Sequence, residues 1–177
     1  ILFLIRRPLM TPPPSPPPPT TVVTGLFIYP VKSCAEQPLH AATVTPLGFE
    51  GDRIFQVSHA REQRYLTPRE EGCEGLFHVE PTLSADQSEL ALRHRTHSDV
   101  KDGGAPLAPL TVKLRAEEVN AKRVMTTVLG VERPNDNREP LLDMGDAAAR
   151  WLSAALPKVD GGCRLSGIGH CAASSSS

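Results

Sequence analysis

From Thr21 the chain runs as short apolar stretches, each cut off by Gly, Pro, Asp or Ser. Residues 22–29 are β-branched and aromatic and stop at Pro30, and residues 39–44 stop at the Pro46-Leu47-Gly48 turn. Stretches at 54–57, 64–67, 76–79, 90–93, 110–114 and 124–128 follow, at a spacing of roughly ten residues. Runs this short, bounded by turn formers, predict strands of an antiparallel barrel or sandwich. Residues 98–109, which contain Asp102-Gly103-Gly104, are predicted as an exposed loop.

One segment has a different period. Residues 143–156 read DMGDAAARWLSAAL, with apolar positions at Met144, Ala147, Ala148, Trp151, Leu152, Ala155 and Leu156. That is the i, i+3, i+4, i+7 spacing of an amphipathic helix. Asp143 is placed to cap it, and Asp146 three residues on resembles the acidic half of a capping box. Pro157 and Gly161-Gly162 stop it, and residues 163–168 read as one last strand. The expected fold is therefore mainly β: a small antiparallel β-barrel with one C-terminal helix closing an end, and Trp151 as a core anchor.

Residues 11–20 read TPPPSPPPPT, and eight of the 18 prolines lie in the first 20 positions. Such a run has few backbone donors, favours the extended polyproline form and builds no core. Residues 1–20 are expected to be a disordered leader, 21–168 the domain, and 169–177 a low-complexity tail. Ile1 stands where an initiating methionine is expected, which reads as a fragment or an incomplete gene model. Arg6 and Arg7 precede any acidic residue, the first being Glu36. This fits the tail of a transit peptide, mitochondrial or for another organelle, a positively flanked membrane anchor that began upstream, or an ordinary leader.

The length of 177 residues suits one core. A net charge of −1 offers no basic face for nucleic acid. Cys34, Cys73, Cys163 and Cys171 include no CxxC pair, so the expectation is separate reduced thiols and no metal site. His94 and His97 straddle a polar loop and read as solvated, and Glu70-Glu71 reads as a solvated turn. No glycine-rich nucleotide fingerprint or nucleophile elbow occurs, so no catalytic residue is assigned.

The chemistry-bearing residues crowd between Tyr29 and Arg69. Tyr29-Pro30-Val31-Lys32-Ser33-Cys34 puts a lysine and a hydroxyl where a proline has ended a strand. Gly48-Phe49-Glu50-Gly51-Asp52-Arg53 presents Arg53 from a turn, and Tyr65-Leu66-Thr67-Pro68-Arg69 ends in another guanidinium. Three cations and two hydroxyls on one rim suit a phosphate, since Arg offers a planar fork, Lys a point charge and the hydroxyls short donors. The plain alternative is solvated loop chemistry, with Arg53 pairing Asp52. A basic neighbourhood would also lower the pKa of Cys34, against the default of a buried thiol.

The string TGLFIYPVKSCAEQPLHAATVTPLGFEGDRIFQV, from Thr24 to Val57, resembles the opening of the MOSC N-terminal β-barrel domain. That domain precedes the MOSC domain in the mitochondrial amidoxime reducing component and in the C-terminal part of molybdenum cofactor sulfurases. MGDAAARWLSAAL followed by CRL also looks like the family's pattern, and the resemblance covers roughly residues 22–168, poorest over 80–140. It implies that Lys32, Ser33 and Arg53 hold the phosphate end of the molybdenum cofactor (molybdopterin), with Thr67 and Arg69 as second contributors. It further implies that the molybdenum-ligating cysteine comes from a MOSC domain downstream, in cis or in trans, with electron-transfer partners in a complete oxidoreductase. Two other readings stay open: a non-catalytic cofactor-binding or transfer module pairing with a separate MOSC chain, and a structural barrel fragment.

Overall fold

The structure is a computed structural model and describes residues 21–46, 48–95, 107–114, 123–124 and 141–167. The proline-rich leader, the loop as far as residue 106, the run beyond Val124, His97, Cys171 and the serine tail lie outside the described residues. In chain order the strands are β1 Leu26–Ile28, β2 Gln37–Leu39, β3 Val44–Thr45, β4 Gly48–Phe49, β5 Phe55–His59, β6 Val79–Leu83, β7 Glu89–His94, β8 Leu110–Lys113, β9 Arg123–Val124, β10 Leu141–Asp143 and β11 Cys163–Gly167. A 3₁₀ helix, Glu74–His78, precedes β6, and helix α1, Gly145–Ala155, separates β10 from β11. The described residues are thus mainly β with one α-helix.

The described strands form four antiparallel sheets: β1–β2, β3–β4, β6–β7–β8 and β5–β11–β10–β9. They do not close into the expected barrel. Instead, residues 30–37 tie the two larger sheets together without forming a full ladder to either. Phe55 N–H donates to Pro30 O at 3.0 Å, Lys32 N–H donates to Phe55 O at 2.8 Å, and Ala35 N–H donates to Val79 O at 2.9 Å. The Gln37 side chain completes the tie by imitating a peptide: Oε1 accepts from Leu83 N–H at 2.8 Å and Nε2 donates to Leu83 O at 3.0 Å. Pro30, Pro38 and Pro81 explain the interruption, because each lacks the N–H a continuous ladder would need there.

Alternation sets the core. In β7, Leu90 and Leu92 are buried while Glu89 and Arg93 are exposed. These leucines meet Phe55, Val57, Leu66, Leu76, Leu165 and the inner face of α1, formed by Ala148, Trp151, Leu152 and Ala155. The 3.6-residue period places those four on one side of the helix. Trp151 is the anchor expected, and its Nε1 also donates to Ala108 O at 2.7 Å, pinning the start of β8.

Three predicted elements need correction. The stretch 39–44 is not a strand: β2 ends at Leu39 because the chain leaves β1 there and turns back on itself as the β3–β4 ribbon. Residues 76–78 belong to the 3₁₀ helix, where Gly75 lets Leu156 approach within 2.8 Å of the position a Cβ would take. Residues 64–67 contribute only the bridge Ser58↔Tyr65 before the Pro68 turn. Asp143 also does not cap α1. It ends β10, the N-cap is Met144 without a side-chain bond, and the Asp143 carboxylate accepts Gly145 N–H at 2.8 Å and pairs with Arg164.

Candidate anion-binding site

The turn between Val31 and Cys34 builds the first half of the site. Cys34 N–H donates to Val31 O at 3.2 Å, closing a four-residue turn. Ser33 sits at its third position with φ 67°, while Lys32 keeps a negative φ, which is the pattern of a type II turn. Glycine is the residue that position favours, so a serine there costs of the order of 1 kcal/mol and keeps a hydroxyl in return. Below the turn, Val31 and Cys34 are buried, so the loop is fixed from inside.

The second half comes from the loop after β4. Tyr29 N–H donates to Asp52 Oδ1 at 2.8 Å, and Arg53 N–H donates to Tyr29 O at 2.8 Å, which brings Arg53 alongside the Lys32 turn. Gly51, at φ 80°, leaves room for Leu83 and Ile28 beneath the loop. Arg53 itself adopts φ 54°. Its guanidinium lies 3.6 Å from Asp52 and its side chain is 64% exposed. An ion pair that exposed contributes little and leaves the fork available to another anion.

Tyr65 links the two halves and was not singled out from the sequence, where it reads as one more strand aromatic. Its hydroxyl is hydrogen-bonded to Ser33 Oγ. Its ring lies 4.0 Å from Lys32 Nζ, a cation–π contact. Burial pushes the phenol pKa up, and the hydrogen bond with Ser33 pulls against that. The structure therefore brings Lys32, Ser33 and Arg53 together around a buried tyrosine.

Thr67 and Arg69 belong to the turn that follows Tyr65. Thr67 follows Tyr65 by two residues, its N–H donates to Glu70 Oε1 at 3.0 Å, and Arg69 is exposed in the same turn. Glu70 also accepts from Arg64, so it serves the turn. His78 and His94 rings are 6.1 Å apart across the β6–β7 ladder. Among the described residues no three His, Cys, Asp or Glu side chains are arranged to hold a metal ion. No described helix is long and apolar enough to cross a membrane.

The basic cluster does not activate Cys34. Burial pushes its pKa up to about 12, does the same to Cys163, and raises Cys73. A buried neutral thiol is a poor nucleophile. Iodoacetamide at neutral pH is expected to leave all three unlabelled in the folded chain and to label them once it is unfolded, read by peptide mass mapping. Labelling of native Cys34 would contradict the burial.

The positive φ of Arg53 carries a second expectation. Arg53→Gly removes roughly 1–2 kcal/mol of backbone strain and gives back about 0.4–1 kcal/mol through the freer unfolded chain. The net is a chain as stable as wild type or slightly more so by urea unfolding, yet with weaker anion binding. A loss of stability would mean the Arg53 side chain supports the fold.

The model for the MOSC N-terminal beta barrel domain matches residues 20–159. The molybdenum cofactor sulfurase of Drosophila grimshawi is 27% identical over 131 residues, 74% of this chain and 15% of its own length. That of Drosophila erecta is 29% identical over 131 residues, 73% of this chain and 14% of its own. The chain thus spans about a seventh of the length of these relatives. A solution structure from Bordetella bronchiseptica aligns at 15% identity and TM-score 0.42 over 73% of this chain and 89% of the other.

Proposed function

The chain belongs to the MOSC N-terminal beta barrel domain family, and we propose that within it the domain clamps the phosphate end of the molybdenum cofactor. The observation that carries this reading is the meeting of Lys32, Ser33 and Arg53 around Tyr65, with two of the three at positive φ. Strained backbone at residues bearing donors is a feature of binding sites. The donor set fits a phosphate: a point charge, a fork and a hydroxyl, with the Asp52 carboxylate shared between Tyr29 N–H and an exposed pairing with Arg53. Thr67 and Arg69 are outer contributors, reached by a larger cofactor end.

In this role the domain neutralises and orients the phosphate while a MOSC domain, in cis or in trans, supplies the metal ligand and the substrate pocket. When bound, the cofactor supplies the redox chemistry of an oxidoreductase of the amidoxime-reducing type. A second reading, that the domain serves cofactor binding or transfer without reducing a substrate, is favoured by the sulfurase names of its relatives.

The test is cofactor retention. The chain and its Lys32→Ala and Arg53→Ala variants are expressed with ample cofactor supply, alone and together with a MOSC domain. Released pterin is measured by fluorescence after oxidation and molybdenum by mass spectrometry. Pterin held by wild type and lost in both variants is the expected result. Equal retention in all three overturns the clamp, and no retention by wild type in either setting overturns it too.

A further inference from the structure

Ser33 and Tyr65 hold two hydroxyl protons between them, and the hydrogen bond joining them uses one. Neither side chain has another hydrogen-bond partner among the described residues. One O–H donor therefore remains unspent in a group that is not fully covered, since Tyr65 is only 5% exposed but Ser33 is half-buried. Polar groups in such a place ordinarily find an acceptor. Lys32 Nζ lies over the same ring and Arg53 is tied through its N–H to Tyr29 O at the head of the same turn, so the acceptor that fits carries negative charge.

We propose that Tyr65 is a further member of the anion site, supplying with Ser33 one hydroxyl donor to the bound phosphate and holding the Lys32 ammonium in place over its ring. This rests on the anion-site reading above and adds a residue that charge and motif do not point to. The phenol suits the task because a tyrosine is protonated at neutral pH, so it is a donor there. The ring suits it because a cation–π contact narrows the rotamers of a lysine's four-carbon stem before the ligand arrives. The bridge Ser58↔Tyr65 ties the backbone of Tyr65 to β5, so the residue under the ammonium is anchored to the sheet.

Tyr65→Phe keeps the ring and removes the phenol, leaving the Ser33 hydroxyl without the partner that orients it, whereas Tyr65→Leu removes ring and phenol both. The first readout needs no ligand. In wild type the ring is expected to shift the ε-methylene protons of Lys32 upfield in NMR spectra, a shift expected to be kept in Tyr65→Phe and lost in Tyr65→Leu. The second is titration with inorganic phosphate, followed at Lys32 and Ser33. Tyr65→Phe is expected to bind about fivefold more weakly, and Tyr65→Leu roughly threefold more weakly again. Unshifted Lys32 signals in wild type, or wild-type phosphate affinity in Tyr65→Phe, overturns the proposal. A wild-type chain with the Lys32 shift but no response to phosphate overturns the donor role and the clamp while the ring anchor stands.

Discussion

Arg164→Ala is expected to lower stability by about 2–4 kcal/mol, more than any other surface-reaching charge change among the described residues. Asp143 is 3% exposed, and its two oxygens are met by Arg164 Nε and, at 2.7 Å, by Nη2. Gly145 N–H is the remaining donor on that carboxylate. Removing the guanidinium leaves a buried anion with one hydrogen bond, and that orphaned charge, not the value of the pair itself, sets the cost. Arg164 is 30% exposed, which lets water reach the gap and favours the lower half of the range. Asp146 also pairs with Arg164 at 3.1 Å but is 75% exposed, so Asp146→Ala is expected to change stability by less than about 0.5 kcal/mol. Urea unfolding of the two single variants and of Asp143→Ala/Arg164→Ala decides it. The double variant, with no buried charge left over, should lose no more than Arg164→Ala alone. An Arg164→Ala loss under about 0.5 kcal/mol would show that Asp143 is solvated in the folded chain.

This pair also marks where reading along the chain stops working. Asp143 before an apolar helical period is a sound capping signal, but the cap depends on where β10 ends, and β10 is placed by pairing with β11. The partner that claims the carboxylate is 21 residues away. The texture of short runs was enough for mainly β, and the period of 143–156 was enough for the helix, because both are local. The β5–β11 ladder, joining Phe55 to Gly167 and His59 to Cys163, is not local, and no periodicity announces it.

The site divides in the same way. Lys32, Ser33 and Arg53 were visible because cations and hydroxyls beside Pro and Gly stand out in a strand-rich chain. Their strain was not visible. A serine at the third position of a type II turn and an arginine at φ 54° look ordinary in one dimension. Tyr65 was hidden for the opposite reason: an aromatic in an apolar run is the default for a sheet, and only the fold brings it 32 residues back to Ser33. Cys34, read as a thiol beside cations, proved to be governed by burial instead.

Phe55→Ala is expected to cost about 3–5 kcal/mol, because it empties a fully buried aromatic site. It should also loosen the anion site, although Phe55 touches no ligand in any reading. The ring packs so closely against β11 that a Cβ at Gly167 would lie 2.5 Å from two of its carbons. The backbone of the same residue accepts from Lys32 N–H and donates to Pro30 O, so the ring that fixes β5 fixes the turn carrying Lys32 and Ser33. Leu152→Ala is the comparison. Leu152 is equally buried, on α1, and its loss is expected to cost about 2–5 kcal/mol with no direct route to that turn. Amide exchange separates the two under conditions where both variants remain folded. In Phe55→Ala the Lys32 amide should exchange faster than the fall in global stability accounts for, and phosphate affinity should drop with it. In Leu152→Ala the Lys32 amide should follow global stability and phosphate affinity should hold. If both variants protect Lys32 equally, the turn is set by its own hydrogen bonds, and the coupling from core to site through Phe55 is absent.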